Sequence, residues 1–285
     1  DWVADTVDKG HDISDTRFDL RDMWVRAFEA YARTCYECCA EVITLYEDNQ
    51  RAQRLLGAEP GNLRVIANGI DPKRFDGVRR ATVADRPTVA LIGRVVPIKD
   101  VKTFITAAAI LRERVPDLAA LVLGPTDEDP AYFEECRALV ASLGLEETLT
   151  FTGTVDIIEW LPRIHVAALT SLSESQPLVI LEAGAAGIPF VATNVGSCRE
   201  ILEGRPDETP ALGPGGLVTG LVAPSEVADA LASLLTDHAR RRRYGATLRE
   251  RVRRLYTSER AVEAYAELYR HHLAAPTRAA QTTDA

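Results

Sequence analysis

From Thr88 onward the chain alternates short apolar runs with amphipathic stretches, and this alternation limits the folds open to it. Runs at Thr88–Ile92, Ala119–Leu123, Leu149–Phe151, His165–Leu169, Phe190–Thr193 and Leu217–Val222 read as buried strands. Between and after them, helical periodicity covers Lys99–Arg114, Ala131–Leu143, Ile157–Leu161, Leu178–Ala186, Ser197–Leu202, 225–235, 238–255 and 258–273. Strands that alternate with helices across short connections build right-handed βαβ units. The expected class is therefore α/β, a Rossmann-like, doubly wound parallel sheet. Such sheets bind ligands at the carboxyl ends of their strands, so each strand-to-helix loop is a candidate site.

The residues before Thr88 are organised differently. Leu20, Met23, Trp24, Ala27, Phe28 and Tyr31 form one apolar stripe of a helix that Asp19 would cap. A strand at Glu41–Tyr46, a helix to Leu56 and a strand at Leu63–Ile66 follow, closed by the turn signals Asn68-Gly69 and Asp71-Pro72. The expected division is residues 1–72 as one unit, 73–87 as a linker, 88–257 as a ligand-binding domain, 258–275 as a C-terminal helix and 276–285 as a loose tail.

The 285 residues carry 33 Lys+Arg against 42 Asp+Glu, a net charge of −9. An acidic balance argues against nucleic-acid binding, which needs a basic surface. No apolar run approaches the roughly 20 residues that span a bilayer. Five cysteines without a regular spacing, Cys35, Cys38, Cys39, Cys136 and Cys198, point to a reducing cytoplasm rather than a disulfide framework. The cluster Cys35, Cys38 and Cys39 lacks the fourth ligand of a zinc site, so helix packing is expected there. Residues 237–260 hold nine Arg against three acids. This stretch reads as a solvated helix face, with attraction to anionic lipid headgroups or an acidic partner as the functional alternative.

Two loops carry the candidate chemistry. In the first, Gly93 and Arg94 follow a strand and Lys99 opens a helix, which would place a guanidinium, an ammonium and helix amides together as a diphosphate clamp. Neither G-x-G-x-x-G nor G-x-x-x-x-G-K-[ST] occurs here, which argues against NAD and P-loop readings. In the second, Glu174 and Glu182 are eight residues apart around Ser175, Gln176, Pro177, Leu178 and Val179. Carboxylates there would accept hydrogen bonds from sugar hydroxyls, beside free helix amides. Asp127-x-Asp129 is read as an acidic helix start rather than a metal site, and His165 as structural.

Taken together, Val65–Asp71, Gly93-Arg94…Lys99-Asp100, Phe151-Thr-Gly153, Glu174-x₇-Glu182 and Val191–Gly196…Glu200 resemble retaining glycosyltransferases of the GT-B fold, glycosyl transferases group 1. The wording of Gly93–Asp100, Leu123–Pro130 and Ser175–Ala183 is similar to the PelF-like branch, cytoplasmic transferases of exopolysaccharide assembly. The resemblance implies that Arg94 and Lys99 bind and stabilise a departing diphosphate, Glu174 touches the donor hexose and Glu182 the ribose. Amides at Gln176–Val179 would cradle sugar and phosphate, and Val155 would lie near the base. It implies a UDP-sugar donor, best UDP-glucose, a growing polysaccharide or glycan as acceptor, peripheral association with a membrane or a polysaccharide synthase complex through 238–254, and no obligatory metal or other cofactor. Because too few residues precede the donor domain to form the acceptor-side domain of that family, residues 19–70 are expected to be its end, and this chain alone to be inactive in transfer. The alternatives are a nucleotide-sugar binding module or a UDP-sugar epimerase of the same fold.

Overall fold

The computed structural model describes residues 20–79, 81–82, 85–205 and 208–274. The expected Asp19 cap, residues 1–18 and the tail 276–285 lie outside the described residues. A helix, α1 (Leu20–Cys38), leads to a small parallel pair, β1 (Val42–Thr44) and β2 (Leu63–Val65), bridged by α2 (Glu47–Leu55). The main body runs β3 (Thr88–Ile92), α3 (Val101–Arg112), β4 (Ala119–Leu123), α4 (Pro130–Ser142), β5 (Leu149–Gly153), α5 (Ile157–Trp160), β6 (Val166–Leu169), α6 (Leu178–Ala185), β7 (Phe190–Thr193), α7 (Cys198–Glu203) and β8 (Gly216–Thr219). Three helices close it: α8 (Pro224–Thr236), α9 (His238–Leu255) and α10 (Ser258–Ala274).

The six strands are ordered β5-β4-β3-β6-β7-β8 and every pairing is parallel. The two-residue side-chain period of a strand sorts its residues between two cores. Val89 and Leu91 of β3, with Val166 and Ala168 of β6, pack under α3, α4 and α8. Ala90 and Ile92, with Ala167 and Leu169, pack under α6, α7 and α9. Apolar residues on both faces are what a parallel sheet covered by helices requires. Chain direction across the sheet reverses between β3 and β6, so the loops after these two strands flank the switch point.

Several expected boundaries move. Lys99 does not open α3: residues 97–99 form a 3₁₀ turn, and Asp100, at φ 45°, caps the helix from the left-handed region by accepting from the Thr103 amide. Asp tolerates that conformation better than most residues, because its short polar side chain hydrogen-bonds locally. β8 stops at Thr219, before Val222 turns to φ 49°. Within 73–87, Phe75 is buried in the second core, so this stretch is anchored at that point. The largest departure is α1. Its periodicity predicts an inward stripe, yet Met23, Trp24, Phe28 and Tyr31 are all at least half exposed, since nothing among the described residues covers that face.

Candidate functional site

The loops at the carboxyl ends of β3, β4, β6 and β7 are joined by backbone bonds. Gly93 donates to Leu123 at 2.9 Å and Val95 to Pro125 at 2.9 Å, tying the β3 loop to the β4 loop. The backbones approach so closely that a Cβ on Gly124 would lie 2.1 Å from the Gly93 carbonyl oxygen, which excludes any side chain. The Thr170 hydroxyl donates to the carbonyls of Lys99 and Asp100, and the Leu172 amide to that of Ile98. On the other flank, the Thr193 hydroxyl donates to Ser171 O at 2.7 Å and the Ser197 amide to Ser175 O at 2.9 Å. A Cβ on Gly196, itself at φ 50°, would fall 2.3 Å from Glu174 O and 2.4 Å from Ser175 O. Glu174 is therefore carried on a segment held from both sides.

This frame brings Lys99 and Glu174 into an ion pair whose side chains are only 18% and 13% exposed. The Ser171 hydroxyl donates to the same carboxylate oxygen at 2.7 Å. Burial, seconded by the Glu174 charge, pushes the neighbouring Cys198 thiol up to about 12, so it stays a packed thiol. Arg94 lies further out and pairs with Glu128 at 2.7 Å, both half exposed. Glu182 occupies the second turn of α6. Burial raises its pKa, the Arg74 guanidinium opposes the rise, and the carboxylate has no hydrogen bond or ion pair among the described residues. A half-buried acid without a protein hydrogen bond is costlier to the fold than a paired one.

The expected residues separate into those brought together and those not. Lys99 and Glu174 touch. Ser175, Pro177, Leu178 and Val179 form the entry to α6, with Pro177 as its cap, so the amides of Leu178 and Val179 are its first, unpaired donors. Val155 packs on the edge of the second core. The side chain of Gln176 does other work. It is buried, accepts from the Asn68 amide at 2.7 Å and donates to the Asn68 carbonyl at 3.0 Å, clasping the chain after β2 to the main sheet. Sequence reading passed over that clasp and over Glu128 and Arg74, each of which depends on a contact between distant segments, and over Ser171, whose contact with Glu174 is local. Asp129 caps α4 through the Tyr132 amide, as an acidic helix start should. Among the described residues no group of three or more His, Cys, Asp or Glu is placed to hold a metal ion.

His165 is structural: buried, its Nδ1 accepts from the Thr88 amide, which leaves Nε2 as donor to the Thr82 carbonyl. The arginine stretch is not one solvated face. Arg241 is buried and donates to the Leu234 and Leu235 carbonyls. Arg251 is fully buried against Glu208. Arg249 and Arg253 pair with Asp76. No helix among the described residues is long and apolar enough to cross a membrane.

Comparison with known proteins agrees with the fold. The model of the glycosyl transferases group 1 family matches residues 86–237, and a domain of unknown function (DUF3492) matches residues 5–61. The chain is 32% identical over 224 residues to a D-inositol 3-phosphate glycosyltransferase of Kribbella flavida, covering 72% of this chain and 48% of that protein. It is 32% identical over 232 residues to a GDP-mannose-dependent α-(1-6)-phosphatidylinositol monomannoside mannosyltransferase of Mycobacterium tuberculosis, covering 74% and 57%. The chain thus spans about half the length of these curated relatives. Among solved structures, sucrose-phosphate synthase from Thermosynechococcus elongatus superposes with a TM-score of 0.72 at 25% identity, over 96% of this chain and 66% of that one. Anabaena Alr3699/HepE in complex with UDP superposes at 0.73 and 21% identity, over 85% and 68%.

Proposed function

The chain belongs to the glycosyl transferases group 1 family, and on that premise we propose that its strand-end cleft binds the donor of a retaining hexosyltransferase. The preferred donor is a UDP-sugar, best UDP-glucose, and the acceptor a growing polysaccharide or glycan, as in PelF-like exopolysaccharide transferases working at the cytoplasmic face. The observation that carries the reading is the Lys99–Glu174 pair beside Arg94 and the unpaired Glu182. Opposite charges are preassembled where a diphosphate and a sugar would lie side by side. A diphosphate draws the Lys99 ammonium away from Glu174, and Arg94 away from Glu128. The freed Glu174 carboxylate then accepts from donor hydroxyls. Positive charge so placed stabilises the diphosphate as it leaves, which is why no metal is assigned to the reaction. Glu182 receives the ribose hydroxyls, and the first amides of α6 the remaining oxygens. HepE, a protein of the same fold, has been crystallised with UDP-glucose, which supports the choice of nucleotide.

Titration calorimetry with UDP tests the site. Binding is expected in the unmodified chain and is expected to weaken at least tenfold in Glu182→Ala and in Arg94→Ala, the scale of one charge-assisted hydrogen bond. Normal UDP binding in both variants overturns the assignment. Transfer assayed on this chain and on a longer form that includes an acceptor-side domain separates a complete transferase from a donor-binding module.

A further inference from the structure

At the opposite pole of the sheet, below the amino ends of β6 and β7, lies a cavity of about 360 Å³. That volume falls within the range of small-molecule sites, roughly 300–1,000 Å³. Ile164, Ile188 and Pro189 form an apolar wall, while His238, Arg241 and Arg242, on the first turns of α9, supply the polar side. His165 also lines it, but its two ring nitrogens are committed to backbone groups and bring no charge.

The two arginines define the chemistry. Among the described residues no carboxylate pairs with either. Arg241 is 7% exposed and its one bonded nitrogen, Nη1, donates only to the Leu234 and Leu235 carbonyls. The nearby acids are already engaged: Asp237 caps α9 through the Arg240 amide, and Asp85 holds Arg79 and the Thr82 amide. Burial lowers the pKa of Arg241, and the adjacent Arg242 charge lowers it further. Arg251, on the same helix, shows what the fold does with a buried guanidinium that has only a structural role, since there Glu208 supplies a bidentate partner. Adjacent guanidiniums without a counter-charge, facing a cavity of metabolite size, match a dianion that offers several oxygens to planar donor forks.

We propose that this cavity is a second ligand site, separate from the strand-end cleft, and that it takes a phosphomonoester of small-metabolite size. The phosphate is held by Arg241 and Arg242 with His238 beside them, and the organic body rests on Ile164, Ile188 and Pro189. The proposal does not depend on the donor reading.

Calorimetry on the 285-residue chain at constant ionic strength tests it, with glycerol 2-phosphate and inorganic phosphate as probes. The ester is expected to bind at least as tightly as inorganic phosphate. Arg242→Glu is expected to weaken it about tenfold or more, with the melting temperature of the free protein unchanged. Arg243→Glu, a matched charge change beside the Tyr244 ring outside the cavity lining, is expected to leave binding intact, as is Arg94→Ala in the cleft. No binding, binding of inorganic phosphate but not the ester, equal losses in Arg242→Glu and Arg243→Glu, or loss in Arg94→Ala but not in Arg242→Glu would each overturn it.

Discussion

Two half-hidden glutamates in this protein meet opposite fates. Glu208 lies behind the sheet, where both carboxylate oxygens take nitrogens of Arg251 at 2.7 and 2.9 Å and Arg251 donates further to the carbonyls of Ile201, Leu202 and Gly213. Glu182 lies at the strand ends, half buried with only the field of Arg74 to offset its charge. The first arrangement leaves neither member of the pair able to exchange partners, and its work is to hold the segment between α7 and β8. The second leaves a half-buried carboxylate with no protein hydrogen bond among the described residues. Completeness of hydrogen bonding, more than burial or charge, separates these two glutamates.

The largest break in that contrast is expected from Arg251→Ala, which strands Glu208. Removing one partner of a buried pair costs about 3–5 kcal/mol, to be read from urea unfolding, while UDP binding in the folded fraction stays intact. Gln176→Ala comes next, at about 1–3 kcal/mol for two lost hydrogen bonds, because the buried Gln176 amide makes both part-buried bonds to the Asn68 backbone. Equal unfolding midpoints for this variant and the parent chain would contradict the clasp.

The two glutamates are also expected to titrate with opposite sign. The folded pKa of Glu182 is raised above its ordinary 4.5, so the native state binds more protons and stability falls as pH rises from 4.5 through the raised value. The folded pKa of Glu208 is lowered, chiefly by its hydrogen bonds to Arg251, so its contribution is present above 4.5 and disappears as pH falls through the lowered value. In unfolding series from pH 3 to 7, Glu182→Gln should stabilise the neutral protein and Glu208→Gln should destabilise it. The same sign in both would erase the distinction. The smallest effect belongs to Glu128→Ala, whose exposed pair with Arg94 contributes about 0–1 kcal/mol. Stability is expected to hold, and UDP affinity to rise slightly as Arg94 is released.

Much of this was legible beforehand where the signal is local. Thr88–Ile92, Ala119–Leu123 and Phe190–Thr193 match their expected limits because a strand covered on both faces needs an unbroken apolar run, and turn residues bound it. That Lys99 and Glu174 serve one site was implied by the resemblance to GT-B transferases, whereas the pairing of β3 with β6 that sets their loops side by side was not read from the sequence. What escaped was long-range. Nothing in Glu128 announces that it meets Arg94, thirty-four residues away in sequence. Nor does a run of arginines show that Arg241 and Arg251 turn inward, since a guanidinium can be buried only if distant carbonyls or acids converge on it. The stripe of α1 is the converse case: its period was correct, and its direction, toward solvent, is set by what surrounds it.

Gly196 has a consequence for anyone changing what this cleft accepts. Its backbone lies so close to the Glu174 and Ser175 carbonyls that a methyl group would collide with both. The acid-bearing loop and the loop after β7 therefore share one space and can vary only as a pair. Libraries that randomise 173–176 alone would sample mostly misfits, whereas libraries that let 194–197 vary alongside would explore alternative shapes of the cleft. The shape of these strand ends is thus inherited two loops at a time.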